Sequence, residues 1–335
     1  MSYILSLISV MWLFINSSGT VSTSGPKLVI DHDGGADDAM AIFLALLSEK
    51  HFNGYPVVAI TTVHGNVDEP QVFINTQKFL NIAKTMKVPI YRGSNFSLVH
   101  DYPKEYFYGS DGLGDSDDFS EFEPIEAQSN HAAVALIELS KKYQGELILV
   151  TLGPLTNIAL AVRLDPGFID RLLQIYVAAG NIHSDGDNEP EFNANVDVEA
   201  YHVVLKNSRP EKVTLIPFSH LVLSHNISKE WRISTLGSIP TEIMRALNVF
   251  EQKSIDQSET WIALDPAVMA IALRETEIIA KTTLVANGIY MCENRGFNFN
   301  NFTAENEFNA RTVLKMNQEL YMNMLWDVFS AETIS

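Results

Sequence analysis

Short apolar runs rich in Val and Ile recur along this chain, each followed by a longer segment with helical spacing of its apolar residues. KLVID (27–31), VVAITTV (57–63), VPIYRG (88–93), ELILVTLG (146–153), LQIYVAAG (173–180) and KVTLIPF (212–218) read as strands. Between them, 36–50, 70–86, 130–143, 154–164 and 197–206 read as helices. Strands joined through helices can lie parallel, and a parallel sheet must be covered on both faces. The pattern therefore predicts one α/β domain with a mostly parallel sheet and helices on both faces. After residue 218 it loosens, with helices expected near 239–256, from Asp265 and over 315–331, and strands over 283–291 and 308–314.

In such folds ligands bind outside the carboxyl ends of the strands. The expected strand ends carry DHDGGADD (31–38), HGN (64–66), LGPLTN (152–157) and AAGN (178–181). Four aspartates, Asp31, Asp33, Asp37 and Asp38, thus crowd the end of the first strand. Ionised carboxylates this close repel, and desolvating them costs several kcal/mol, so they need open water or a cation. Asp31 and Asp33, two apart, share a side of an extended strand, whereas His32 between them points into the interior. Asp37 and Asp38 fall in the first turn of the next helix, where the dipole favours anions. Capping would need one or two of these residues. Four favour a hard-cation site, and all-oxygen ligands point to Ca²⁺ or Mg²⁺. No His/Cys grouping has zinc-ligand spacing.

The chain has 335 residues, 46% of them hydrophobic, which is enough for a sizeable core. Its formal charge of −18 excludes the basic footprint of nucleic-acid binding and opposes docking on anionic membranes. Residues 3–15, YILSLISVMWLFI, have the length of a signal-peptide apolar region, without an N-terminal Lys or Arg. Small residues follow, giving cleavage after Gly19 or Ser24, so residues 1–24 are expected to be a leader and 25–335 a single mature domain. Sequons at Asn95, Asn226 and Asn301 agree with secretion and a glycoprotein. The single cysteine, Cys292, is read as a buried apolar residue.

DHDGGADDAMAIFLAL resembles the N-terminal signature of the nucleoside hydrolases, and the resemblance runs over nearly the whole chain after the leader. VVAITTVHGNV is similar to the family's second strand, YGSDGLGD (108–115) to its flexible loop, and NHAAVALIEL to the helix after it. LVTLGPLTNIALAVRLDP, EFNANVDVEAYHVVL and LDPAVMAIAL follow in the family's order. The resemblance implies a Rossmann-like single domain that hydrolyses the N-glycosidic bond of ribonucleosides to ribose and free base, with Ca²⁺ as cofactor. It implies Asp33 as general base and metal ligand, with Asp38, Asp265 and the Leu152 carbonyl as further ligands. Asp37 would contact a ribose hydroxyl and the metal-bound water, Glu191 and Asn193 would hold the ribose, Asn66 would hold Asp33 or the ribose, and Asp31 would support them. It also implies a homo-oligomer, dimer or tetramer. The chemistry is consistent: the bond breaks through an oxocarbenium-like state, which carboxylates stabilise.

Two positions depart from the family pattern. Leu264 stands where a histidine often precedes the late metal-binding Asp and protonates the leaving base. Tyr108 and Trp261 are the candidates for base contacts instead, the latter by stacking on a purine. The asparagine expected six residues before Glu191 is Asp185, with Asn188 nearby, and either could hold the ribose. His64, His183, His220 and His225 have no motif that would make them a relocated acid. Tyr102, Tyr106, Phe107 and Tyr108 form either an aromatic lid or the buried face of an ordered loop. Two further readings stay open: a secreted nucleoside-binding protein that has lost catalysis, and a Mg²⁺-dependent phosphohydrolase of the haloacid-dehalogenase type, which the Gly34–Gly35 pair fits poorly.

Overall fold

The computed structural model describes residues 25–182, 189–223 and 225–333. The expected leader, 1–24, lies outside them, as do His183, Asp185 and Asn188. Among the described residues no helix is long and apolar enough to cross a membrane.

Nine strands form one sheet: β1 (Lys27–His32), β2 (Val57–Thr62), β3 (Ile90–Tyr91), β4 (Leu147–Thr151), β5 (Gln174–Val177), β6 (Val213–Leu215), β7 (Ile279–Ile289), β8 (Asn298–Asn301) and β9 (Ala310–Met316). Their order is β3-β2-β1-β4-β5-β6-β9-β7-β8. The first seven run parallel, and β7 and β8 close the far edge antiparallel. Each of the six runs from 27 to 218 contains a strand, the third shortened to two residues.

Helices α1 (Ala36–Phe52), α2 (Glu69–Ile82), α3 (Ala132–Lys142) and α4 (Thr156–Leu164) match the expected segments within a few residues. The short α5 (Phe168–Arg171) and α6 (Phe192–Val196) precede α7 (Val198–Lys206). The helix expected near 239–256 is two, α8 (Glu242–Phe250) and α9 (Gln252–Gln257), interrupted at Glu251. Then come α10 (Asp265–Leu273), α11 (Glu275–Ile278) and α12 (Gln318–Ser330).

The pleat divides the strands between two cores. Leu28, Ile30, Ile148 and Val150 face one apolar layer, while Val29, Leu147 and Leu149 face the other. α1 is apolar on every side and is buried from Ala36 to Ser48, against α10 and α12. A helix so enclosed fixes whatever its first turn carries. β8 escaped the sequence reading because FNFN alternates aromatic and amide residues like a loop, yet Asn298 is buried and bonds Asn181. Cys292 is exposed in the turn between β7 and β8, contrary to the buried reading. A hairpin tip at the sheet edge has no layer to cover it.

One buried ion pair ties the late helices together. Arg232 and Glu251 are both inaccessible to solvent, and the Arg232 guanidinium donates to Glu251 Oε2 through Nε (2.7 Å) and Nη2, and to Asn248 through Nη1. Trp261 Nε1 donates to Glu251 Oε1 at 2.7 Å. Removing the carboxylate would strand a buried guanidinium and an indole N–H. Glu251→Ala is therefore expected to lower stability by about 3–5 kcal/mol, read as a drop in urea midpoint at unchanged slope.

Candidate active site

The order β3-β2-β1-β4-β5-β6 reverses direction between β1 and β4, which opens a crevice outside their carboxyl ends. The expected aspartates stand there. Asp31, at the end of β1, is fixed by Thr61 Oγ1 and by Asn157 Nδ2 (2.8 Å), both donating to its Oδ1. Its Oδ2 is buried without a hydrogen-bond partner. His32 points the other way, as alternation requires, with Nε2 at 2.8 Å from Thr76 Oγ1. Burial pushes its imidazole down to about 3, so it stays neutral.

Asp33 follows the strand. Asn66 donates to it twice, from its backbone N–H to Oδ2 (2.8 Å) and from Nδ2 to Oδ1 (2.9 Å). Gly65 permits that approach: a Cβ there would lie 1.8 Å from Asp33 Oδ2. Gly34, at φ +85°, turns the chain from β1 into α1. Asp38 accepts from the N–H groups of Gly35 (2.7 Å) and Asp33 (3.2 Å), capping α1 from its own first turn.

Oxygens of Asp37, Asp38 and Asp265 come within 4.8 Å of one another. All three residues are buried, Asp265 at the start of α10, which packs on α1. Burial, then repulsion from neighbouring carboxylates with Asp33 among them, raises their carboxyls above the ordinary range, Asp37 to about 7. Burial likewise raises Asp33, and takes Asp31 to about 7. A hard cation would remove that repulsion, and an all-carboxylate set suits one. The sequence reading gave Asp33 to the metal and Asp37 to the sugar and the metal-bound water. In the structure Asp37 stands in the three-residue cluster, and Asp33 accepts from Asn66 while its carboxylate also meets that of Asp38.

A cavity opens over this cluster, lined by Asp37, Asn66, Leu152, Glu191, Asn193 and Asp265. Glu191 caps α6 and accepts N–H bonds from Gly180, Asn193 and Ala194, at 2.8–2.9 Å. Asn193 Nδ2 donates to the carbonyls of Leu152 and Ala178, both at 2.8 Å, which leaves Oδ1 buried and unpartnered beside the cavity. The remaining lining is mostly aromatic and aliphatic: Tyr106, Phe107, Tyr108, Phe192, Phe218, Ile262 and Leu264, with Glu105.

Tyr108 is buried with its hydroxyl bonded to Asp37, and burial raises its phenol well above the usual value. Trp261 does not line the cavity: its indole is buried, bonded to Glu251 and packed near Trp231. His64, His220 and His225 do not line it either. Sequence reasoning passed over Asn157, whose support of Asp31 depends on α4 lying across β1, and Phe218 and Ile262, which carry no motif.

The chain matches the family model described as inosine-uridine preferring nucleoside hydrolase over residues 28–323. It is a nucleoside hydrolase. A probable uridine nucleosidase 2 of Arabidopsis thaliana is 30% identical over 306 residues, covering 87% of this chain and 92% of the relative. An inosine-uridine preferring nucleoside hydrolase of Leishmania major is 31% identical, covering 75% of this chain and 79% of the relative. Among solved structures, an inosine-guanosine nucleoside hydrolase superposes with a TM-score of 0.80 at 26% identity, over 91% of this chain and 98% of that one. This nucleoside hydrolase therefore cleaves N-glycosyl bonds of ribonucleosides, and the phosphohydrolase and binding-protein readings are set aside.

Two outcomes follow for the nucleoside hydrolase site. Carboxyls raised in the folded state bind extra protons there, so stability of the chelated protein falls as pH rises from about 4 through about 7. A divalent cation held there would compete with those protons, so the rise in melting temperature on adding calcium should be larger at pH 8 than at pH 5, as thermal melts would show. Gly65→Ala should displace Asp33 and lower kcat by about 100-fold or more while the circular dichroism spectrum stays native.

Proposed function

We propose that the protein is a secreted, calcium-dependent ribonucleoside hydrolase that prefers purine nucleosides, with Asp33 as general base. The observation that carries this reading is Asp33 itself, aimed by two bonds from Asn66 and standing beside the Asp37–Asp38–Asp265 cluster. When bound, a divalent cation held by Asp37, Asp38 and Asp265, with Asp33 and the Leu152 carbonyl beside them, acidifies and orients water. Asp33 takes the proton of the water that attacks the anomeric carbon. Asn66 keeps its carboxylate in position for that transfer. Glu191 and Asn193 Oδ1 accept from ribose hydroxyls, and Asp37 adds negative charge against the cationic sugar as the bond to the base lengthens.

Purine preference rests on the apolar lining. Tyr106, Phe107 and Phe218 offer ring faces to a bicyclic base, and Leu264 offers no proton. The inosine-guanosine name of the similar structure points the same way. Secretion rests on the apolar N-terminal run and the sequons, of which Asn226 and Asn301 are exposed. A homo-oligomer, dimer or tetramer, is the proposed assembly, and Leu320 and Trp326, exposed on α12, supply apolar surface for it.

The test is release of ribose from inosine, guanosine, adenosine, uridine and cytidine, with and without a chelator. Purine nucleosides should be turned over fastest, the chelator should abolish release, and Asp33→Asn should lower kcat by about 100- to 10,000-fold. Release that survives both chelation and Asp33→Asn would overturn the mechanism. Faster turnover of uridine and cytidine would overturn the preference.

A further inference from the structure

Three of the carboxylates that line the cavity are accounted for: Asp37 and Asp265 belong to the acidic cluster, and the oxygens of Glu191 take three backbone N–H groups. The fourth, Glu105, is not. It is exposed at the cavity rim and begins the run that contributes Tyr106 and Phe107 to the apolar lining. Its backbone is anchored from both sides. Lys104 Nζ donates to the carbonyls of Gly65 and Val67, each at 3.1 Å, and pairs with Asp68 at 3.4 Å, so the neighbouring cation is directed at the turn. Gly109 N–H bonds the carbonyl of Tyr106, which sits in the left-handed region at φ +54°. Tyr102 Oη donates to Glu105 Oε1 at 3.2 Å, and Oε2 has no partner among the described residues.

We propose that Glu105 reads the base: its carboxylate accepts the ring amide N–H of the nucleobase, selecting bases that carry one over bases that do not. The assignment rests on the ribonucleoside hydrolase reading and on a base seated against Tyr106 and Phe107. An ionised carboxylate only accepts hydrogen bonds. Hypoxanthine presents one donor, N1–H, on its pairing edge, and guanine presents two, N1–H and the 2-amino group. Adenine presents a lone pair at N1, which a carboxylate repels, and its one donor on that edge, the 6-amino group, is displaced from the N1 position. Recognition by a polar group rejects the analogue that lacks the partner far more strongly than an apolar wall can. Glu105 therefore separates 6-oxopurine nucleosides from adenosine at a wall that is otherwise indifferent between them.

The experiment measures kcat/KM for inosine, 1-methylinosine and adenosine with the full calcium-loaded enzyme, and 4-nitrophenyl riboside reports the bond cleavage without any base N–H. The wild type should favour inosine over 1-methylinosine by about 10- to 100-fold. In Glu105→Ala that ratio should collapse to within about threefold, through loss on inosine. Glu105→Gln, whose amide also donates, should shift the adenosine-to-inosine ratio toward adenosine, which damage to the loop alone would not do. Equal wild-type turnover of inosine and 1-methylinosine, or an unchanged ratio in Glu105→Ala, overturns the assignment while cleavage of the nitrophenyl riboside leaves the hydrolase reading standing. Failure to cleave any of these substrates brings both down.

Discussion

Five aspartates are buried within one crevice, and most of the surrounding architecture limits what that costs. Removing a carboxylate from water is unfavourable by several kcal/mol unless hydrogen bonds or opposite charge replace the water. Asp31 is met by Thr61 and Asn157, Asp33 by Asn66, and Asp38 by the N–H groups of Gly35 and Asp33. The N-terminus of α1 adds its dipole. What remains is the unpartnered Oδ2 of Asp31 and the close approach of Asp37, Asp38 and Asp265 to one another. The enclosure of α1 holds those three together against their repulsion, since the helix cannot tilt without opening the core between α10 and α12.

The parts of this site that follow from local pattern were legible in the sequence. Strand ends, a Gly-Gly turn and acidic residues in a helix's first turn are short-range facts, and Asp31 to Asp38 stand where that logic put them. The orientation of His32 followed from alternation alone. What was not legible depends on contacts between distant elements. Trp261 is three residues from Leu264 and looks available to a base, but Glu251, at the break between α8 and α9, takes its indole N–H. Asn157 supports Asp31 across 126 positions. The two bonds that position Asp33 come from Asn66, which the sequence places in another strand–helix connection.

That turn joins the two halves of the reaction. Asn66 holds Asp33 from above, and the carbonyls on either side of Asn66 receive Lys104 from the loop that carries Glu105, Tyr106 and Phe107. The proposed wall for the base and the proposed general base are therefore registered on the same three residues. A shift of the loop would be felt at Asp33 through rigid backbone contacts, which is how a binding element remote in sequence can bear on the chemical step.

The lining also determines where catalysis must come from. Tyr108 is the one phenol bonded into the acidic cluster, and its proton is held more tightly than in an ordinary tyrosine because burial and Asp37 both oppose the phenolate. Leu264 and Ile262 have no proton to give, and no described histidine reaches the cavity. Among the described residues the acidic groups of the lining, Asp37, Asp265 and Glu191, belong with the cluster and with the acceptors proposed for the ribose. In the proposed mechanism, negative charge and fixed acceptors around the ribose would lower the energy of the oxocarbenium-like state, so that stabilising the ribosyl side helps the bond to the base to break. On that mechanism the crowding of aspartates, costly to the fold, is placed where the reaction develops positive charge.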